Sequence, residues 1–229
     1  MFKGYFISGN DTNVGKTIVS SILVNKLEAQ YFKPIQCGKN EFSETDSDVV
    51  KKFCPNAEII PETYFFKDPV SPNIASKKEK RKICLKKILE IKKMHMEREI
   101  IIEGAGGLQV PINNKYFVSD LAKKIDLPLI LVCRTTLGTI NHSLLSIELI
   151  KTKKINFKGL VFVGKNIDKT IKTIEFFGKK ILGQKINILG KIPFKKKISS
   201  KEIKNFGKLL KMTNSTISCR KQIHCLEIN

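Results

Sequence analysis

Apolar residues along the chain follow two rhythms. Runs of strand length, "GYFIS" (4–8), the aliphatic part of "REIIIEGAGGLQVP" (98–111), "PLILVC" (128–133) and "LVFVG" (160–164), are too uniformly apolar for strands with one wet face. They predict parallel strands covered on both sides. "YFKPI" (31–35) reads as a short second strand ended by Pro34 and followed by a polar stretch through Thr45, and "INILGKIP" (186–193) as a last strand and turn. Helical spacing marks "TIVSSILVNKL" (17–27), "FVSDLAKKI" (117–125) and "GTINHSLLSIELIKTK" (138–153), and "DSDVVKKF" (46–53) opens with acids, the favourable side of a helix dipole. Residues 81–97 place Ile83, Ile88, Leu89 and Ile91 on a lysine-rich background, as an amphipathic helix would, whereas the Pro-rich section 55–72 reads as irregular. One further helix is expected at 201–211, and from about residue 212 to 229 no period is visible, which reads as a frayed end. The strand–helix alternation predicts an α/β fold: a doubly wound, mainly parallel sheet with helices on both faces, in one domain spanning 1–229.

The first strand and helix are joined by "SGNDTNVGKT" (8–17), a stretched phosphate-binding loop. The usual loop has four residues between its first glycine and Gly-Lys-Thr; here Gly9 stands five residues before Gly15 and Asn10 occupies the usual glycine position. Context decides the reading, because such a loop works only where a buried strand feeds a tight turn that opens a helix. Then backbone N–H groups face phosphates, Lys16 reaches the outer phosphates and the Thr17 hydroxyl ligates Mg2+. The fold expected is therefore of the P-loop NTPase type.

Charge adds a rival. A formal net charge of +21 attracts phosphates non-specifically. Yet arginine, the better fork for bases and phosphates, occurs only at positions 81, 98, 134 and 220. The lysines lie in scattered doublets and runs such as "KKEKRK" (77–82), with no recognition-helix or aromatic-interleaved motif, so they read as a solvated surface. No stretch reaches membrane-span length, and the N-terminus runs straight into the first strand without the series of a signal peptide, so a cytoplasmic location is expected. The six cysteines form no Cys-x-x-Cys pair, and His95, His142 and His224 lie too far apart in sequence for a metal motif.

In a doubly wound sheet, ligands gather beyond the carboxyl ends of the strands. The loop at 9–17, "KPIQCG" (33–38), "EGAGG" (103–107) and the acidic start of "DSDVV" all arrive there. Glu103 ends a buried strand where NTPases keep an acid for Mg2+. Gly104, Gly106 and Gly107 offer a backbone that a phosphate or substrate can approach closely. Asp48 or Asp46 is a further metal carboxylate. Lys33, fixed in extended geometry by Pro34, is a cation placed to neutralise charge on a transferring phosphoryl group.

"GNDTNVGKT", "KPIQCG", "SDVV", "SPNIA", "EGAGGLQVP", "LGTINH", the asparagine of "GKNID" and "GKIP" occur in the order and approximate spacing of ATP-dependent dethiobiotin synthetase. From Gly4 to about Phe194 the chain resembles that family, whose loop carries the same five-residue spacing. The resemblance implies ring closure of 7,8-diaminopelargonate with CO2, using MgATP, through a carbamate and a carbamoyl-phosphate mixed anhydride. It assigns Asn13, Val14, Gly15, Lys16, Thr17 and Ile18 to the nucleotide, with Glu103, Gly104, Ala105 and Gly106 from the glycine turn. Asn166, Ile192, Pro193 and Phe194 fall beside adenine. Thr12, Cys37, Gly106 and Gly107 fall beside substrate, as do Thr139, Ile140 and Asn141, whose helix a partner subunit supplies in the family, so a homodimer is implied. Thr17, Asp48 and Glu103 form the implied Mg2+ set, with Lys16 and Lys33 catalytic.

Cys37 stands where the family usually has Ser or Thr, and Asn13 replaces an acid found in some members, so that position has no metal role. Two other readings share the loop and sheet. One is a partitioning ATPase of the deviant P-loop group that binds nucleic acid or membrane; its signature lysine would fall at position 11, where this chain has Asp11. The other is a related amide ligase, normally a longer chain.

Overall fold

The computed structural model describes residues 2–94, 98–165, 167–195 and 197–212. Its strands are β1 (Lys3–Gly9), β2 (Gln30–Phe32), β3 (Ile35–Cys37), β4 (Ile59–Ile60), β5 (Tyr64–Phe66), β6 (Glu99–Gly107), β7 (Leu129–Arg134), β8 (Phe157–Val163) and β9 (Ile188–Ile192). The helices are α1 (Lys16–Leu27), α2 (Asp46–Phe53), α3 (Pro72–Lys78), α4 (Leu85–Leu89), α5 (Ile91–Met94), α6 (Val118–Ile125), α7 (Thr139–Thr152), α8 (Asp168–Leu182) and α9 (Ser200–Phe206), the last followed by a 3-10 turn, Gly207–Leu209. Seven strands form one sheet in the order β4-β2-β6-β1-β7-β8-β9, every neighbouring pair parallel.

The uniformly apolar runs occupy the centre of this sheet, as expected. Phe6, Ile7, Ile100, Ile101, Ile102, Leu131 and Val132 are completely buried. Strand alternation divides them. Phe6, Ile100, Ile102 and Leu131 enter one core layer, and Ile7, Ile101, Ile130 and Val132 join the other with α1 and α9. Because α1 is covered by the sheet on one side and by α2 and α9 on others, it is buried nearly all round, with only Asn25 exposed. From β1 the chain moves to β2 on one side of the sheet and to β7, β8 and β9 on the other. The crevice of this topological switch therefore opens at the carboxyl end of β1.

Four expectations are corrected. "YFKPI" is not one strand: after Phe32 the chain leaves the main sheet, and Ile35–Cys37 pairs with Tyr64–Phe66 in a separate two-stranded sheet. Pro34, which has no N–H for a ladder, sits at the break. The Pro-rich section is not irregular throughout, since it supplies β4 at the sheet edge, β5, and the start of α3 with Pro72 in its first turn. The amphipathic segment 81–97 divides into α4 and α5, because Ile83 reaches the core from non-helical chain while Ile88 and Ile91 do so from two short helices. Residues 165–185, left unassigned by the pattern, contain α8, whose Ile171 and Ile174 are buried. Residues 213–229, the expected frayed end, lie outside the described residues.

Candidate functional site

β1 delivers the chain into the loop at its carboxyl end, where the Asn10 amide donates to Val132 O at 2.9 Å. Asn13 and Gly15 have positive φ, 56° and 93°, and they turn the chain back into α1. Gly15 is the N-cap and supplies no side-chain cap, so the start of α1 keeps its N–H groups facing the loop. A side chain at Gly9 would meet Asp11 O at 2.5 Å and Lys16 Nζ at 3.1 Å, which explains glycine at this spacing. Lys16 is buried and folds back to donate to Asp11 O at 3.0 Å. Burial and the neighbouring Lys33 cation lower its pKa to about 8, against the pull of Glu103, Asp46 and Asp11. Val14 turns its side chain into the core and Ile18 packs against it, so those two meet a ligand only through backbone, whereas Thr12 and Asn13 are exposed.

Glu103 is the hub of the crevice. Register places it opposite Ile7 on β6, and alternation points it to the same face as Ile101, toward α1. It is completely buried and accepts from Thr17 Oγ1 (3.1 Å), Ser20 Oγ (2.7 Å), Tyr31 OH (3.0 Å) and Lys33 Nζ (3.2 Å). Ser20 and Tyr31 were not among the expected residues. Spacing puts each beside a predicted residue, Ser20 three positions after Thr17 on one helix face and Tyr31 two before Lys33, but does not show that both meet Glu103.

Lys33 uses all three of its donors, on Glu103, on Gly104 O at 3.2 Å and on Asp46 Oδ2 at 2.6 Å. Burial would lower its pKa, but Glu103 and Asp46 together raise it, so it remains an ammonium ion. Burial raises the Asp46 carboxyl, yet the Lys33 ammonium and the Thr17 hydroxyl hold it below the usual range. Asp48, the expected metal carboxylate, is placed differently. It completes a capping box with Thr45, accepting from Thr45 N at 2.8 Å while its own N–H donates to Thr45 Oγ1. The carboxylate that meets Lys33 and Thr17 is Asp46.

In the glycine turn, φ at Gly106 is 65°, and a Cβ there would lie 2.8 Å from Val110 Cγ2 and 3.5 Å from the Thr12 hydroxyl, so this position needs glycine and faces the loop. At Gly104 a Cβ would meet Val118 at 3.0 Å and Phe6 at 3.2 Å, so packing alone accounts for glycine there. Ala105 is half-buried, and Gly107 is the register partner of Gly9, so β6 stays beside the loop to its end. Cys37 is half-buried; burial raises its thiol to about 11, with Lys33 pulling the other way, so it stays protonated near neutral pH.

Beyond the loop, Thr135, Phe162, Gly164, Lys165, Ile192 and Pro193 contribute to a cleft of about 220 Å³. Phe194 is exposed nearby in sequence, and Asn166 lies outside the described residues. A larger cleft of about 380 Å³ lies along the β9 edge between Glu175 and Lys211, and none of the candidate residues lines it. The Thr139 hydroxyl accepts from Asn10 Nδ2 at 3.2 Å and bonds Arg134 O, so its side chain ties α7 to the loop and leaves only the main-chain N–H of this residue for a substrate carboxylate. Ile140 and Asn141 are the exposed residues of that helix start.

Comparisons with known proteins give a family from sequence and a fold from structure. A profile described as AAA domain matches residues 3–202. The ATP-dependent dethiobiotin synthetase BioD of Lawsonia intracellularis is 40% identical over 201 residues, covering 88% of this chain and 93% of that protein. The protein of that name from Christiangramia forsetii is 42% identical over 191 residues, covering 80% and 87%. Among solved structures, a ParA family ATPase from Chlorobium tepidum superposes with a TM-score of 0.50 at 12% identity, covering 90% of this chain and 98% of that one. The septum site-determining protein MinD of Pyrococcus horikoshii, solved with Mg-ADP, has a TM-score of 0.50 at 15% identity, covering 90% and 86%. At such identities the likeness is one of fold alone.

Proposed function

The chain belongs to the ATP-dependent dethiobiotin synthetase family, and from that premise we propose that it condenses 7,8-diaminopelargonate with CO2 at the expense of ATP, closing a ureido ring. The observation that carries this reading is the junction of two sites in one crevice. A phosphate loop ending in Lys16 and Thr17 shares Glu103 with a second buried lysine, Lys33. A simple ATPase needs only the first. A ligase that phosphorylates a carbamate also needs a cation where the acceptor anion sits, and Lys33 is that cation. With all three donors engaged, Lys33 must exchange one to meet a substrate anion. Asp46, the most exposed of the two carboxylates, is the partner to be exchanged. The phosphate loop then positions the nucleotide while Lys33 neutralises charge at the acceptor, so catalysis is mainly alignment and electrostatics.

The oxygen donors present fit Mg2+. Among the described residues no three His, Cys, Asp or Glu side chains form a metal cluster, but magnesium is commonly held by one or two carboxylates with phosphate oxygens. The Thr17 hydroxyl, Glu103 and Asp46 are the residues that would hold it, where the ion would neutralise phosphate charge. The cleft lined by Ile192 and Pro193 is the proposed base site. A homodimer is proposed as well: Leu137, Ile140 and Leu145 are exposed together at the start of α7, a face suited to burial by a second copy. The partitioning reading has only the fold in its favour.

The decisive test is phosphate release from ATP with each component omitted in turn. Turnover should require diaminopelargonate and bicarbonate together, since their carbamate is the phosphoryl acceptor. Full turnover without the diamine would sink the assignment.

Lys16 adds a pH dependence. With its pKa at about 8, part of it is neutral at pH 8 to 9, and a bound polyphosphate favours the ammonium form. ATP binding should therefore take up protons in this window and weaken as pH rises through it. Calorimetry in two buffers of different ionisation heat reads the uptake directly; equal heats in both at pH 8.5 would contradict it.

A further inference from the structure

We propose that Arg134 is a positioning residue for nucleotide binding, acting through Asp11 on the phosphate loop. The inference rests on that loop being the ATP site. Asp11 places a carboxylate at the mouth of a site built for anions. Uncompensated, it would repel a polyphosphate, and free to rotate, it would compete for the donors of the loop.

Both hazards are met by contacts from the β7–α7 segment. Arg134 Nη2 lies 3.0 Å from Asp11 Oδ2, and His142 Nδ1 lies 3.5 Å from the same oxygen. The other oxygen accepts from Thr12 N at 2.7 Å, so the carboxylate is held at both ends. Lys16 contacts the main-chain carbonyl of Asp11 rather than its side chain. Arg134 is thus the permanent cation on this carboxylate, and His142 adds charge only when protonated. The backbone at Arg134 is fixed in turn, because the Thr139 hydroxyl donates to its main-chain carbonyl. The neighbouring Asn10 amide also reaches Thr139 Oγ1 at 3.2 Å and Ser143 Oγ at 3.0 Å. Consecutive loop residues are therefore fastened to one segment, with Asp11 turned toward Arg134.

The Arg134–Asp11 pair is about a third exposed on each side, so as a purely structural ion pair it would contribute little to stability. A selective effect on nucleotide affinity therefore identifies its role. Arg134→Ala should weaken equilibrium binding of ATP about five- to tenfold, with melting temperature and the KM for diaminopelargonate close to wild type. Turnover at saturating ATP should change less than about twofold, and Arg134→Lys should recover part of the affinity. The separating variant is Asp11→Asn combined with Arg134→Ala. Without the carboxylate no counter-charge is needed, so affinity should return to within about threefold of wild type. Unchanged ATP binding in Arg134→Ala, no recovery in the double variant, or an effect on diamine KM alone would each overturn the proposal. Failure of the wild-type protein to bind ATP would instead overturn the reading of the loop.

Discussion

Lys33→Ala should lower ring closure by about 10²-fold or more while ATP still binds within a few-fold of wild type. Lys33 is almost fully buried, and Glu103 and Asp46 keep it charged despite that burial, so its cation is constant across any practical assay range. Its distance from the phosphate end of the loop is set by β2, whereas Lys16 is set by α1, so the two lysines should fail differently. Lys16→Ala acts on phosphate binding; Lys33→Ala acts on the acceptor. Lys33→Arg should not restore activity, because a planar guanidinium fork cannot reproduce three N–H bonds to Glu103, Gly104 O and Asp46. Separate measurement of ATP affinity and kcat makes the distinction, and wild-type turnover by Lys33→Ala would remove it from the catalytic set. Stability should fall by about 3 kcal/mol, since Glu103 is left a buried carboxylate with three neutral donors and no cation.

Glu103→Gln should damage the fold as well as the chemistry. The side chain receives four donors and offers none. An amide of the same shape carries no charge, so Lys33 keeps Asp46 as its sole charged partner, and its NH2 is met only if a hydroxyl that now donates turns round to accept. Buried groups deprived of partners cost about 1–3 kcal/mol each, and breaking a buried ion pair about 3–5 kcal/mol. A net loss of about 3 kcal/mol would lower the melting temperature of a chain this size by about 6–12 °C. Activity should disappear together with the metal carboxylate. Thermal melting followed by circular dichroism, with turnover measured well below the transition, separates the two effects. A variant that melts with the wild type would show that the hydrogen-bond network around Glu103 is looser than its geometry implies.

The capping box at Thr45–Asp48 illustrates what sequence patterns can and cannot decide. Thr-x-x-Asp before an apolar helix is a local signal, and on that signal alone Asp48 belongs to the cap. Reading it as a metal ligand set family resemblance above local chemistry, and the geometry favours Asp46. Thr139 is the reverse case: its place at a helix start was legible, but its hydroxyl is spent on Asn10 and Arg134, contacts that span the chain. The same holds for Ser20 and Tyr31. Nothing in a one-dimensional spacing says that a serine of α1 and a tyrosine of β2 converge on one carboxylate.

What the sequence by itself determined is whatever arises within one element or one turn. Apolar runs with no wet face specified buried parallel strands, and Gly9 with Gly15, Lys16 and Thr17 specified a phosphate loop, because both depend on neighbours along the chain. Tertiary structure alone decided the order β4-β2-β6-β1-β7-β8-β9, the departure of β3 and β5 into a second sheet, and the meeting of Lys33, Asp46, Thr17 and Glu103. Those outcomes depend on which faces are buried together. Once Glu103 is shut away from water its charge must find donors, and only the packed arrangement of α1, α2, β2 and β6 determines which donors are within reach.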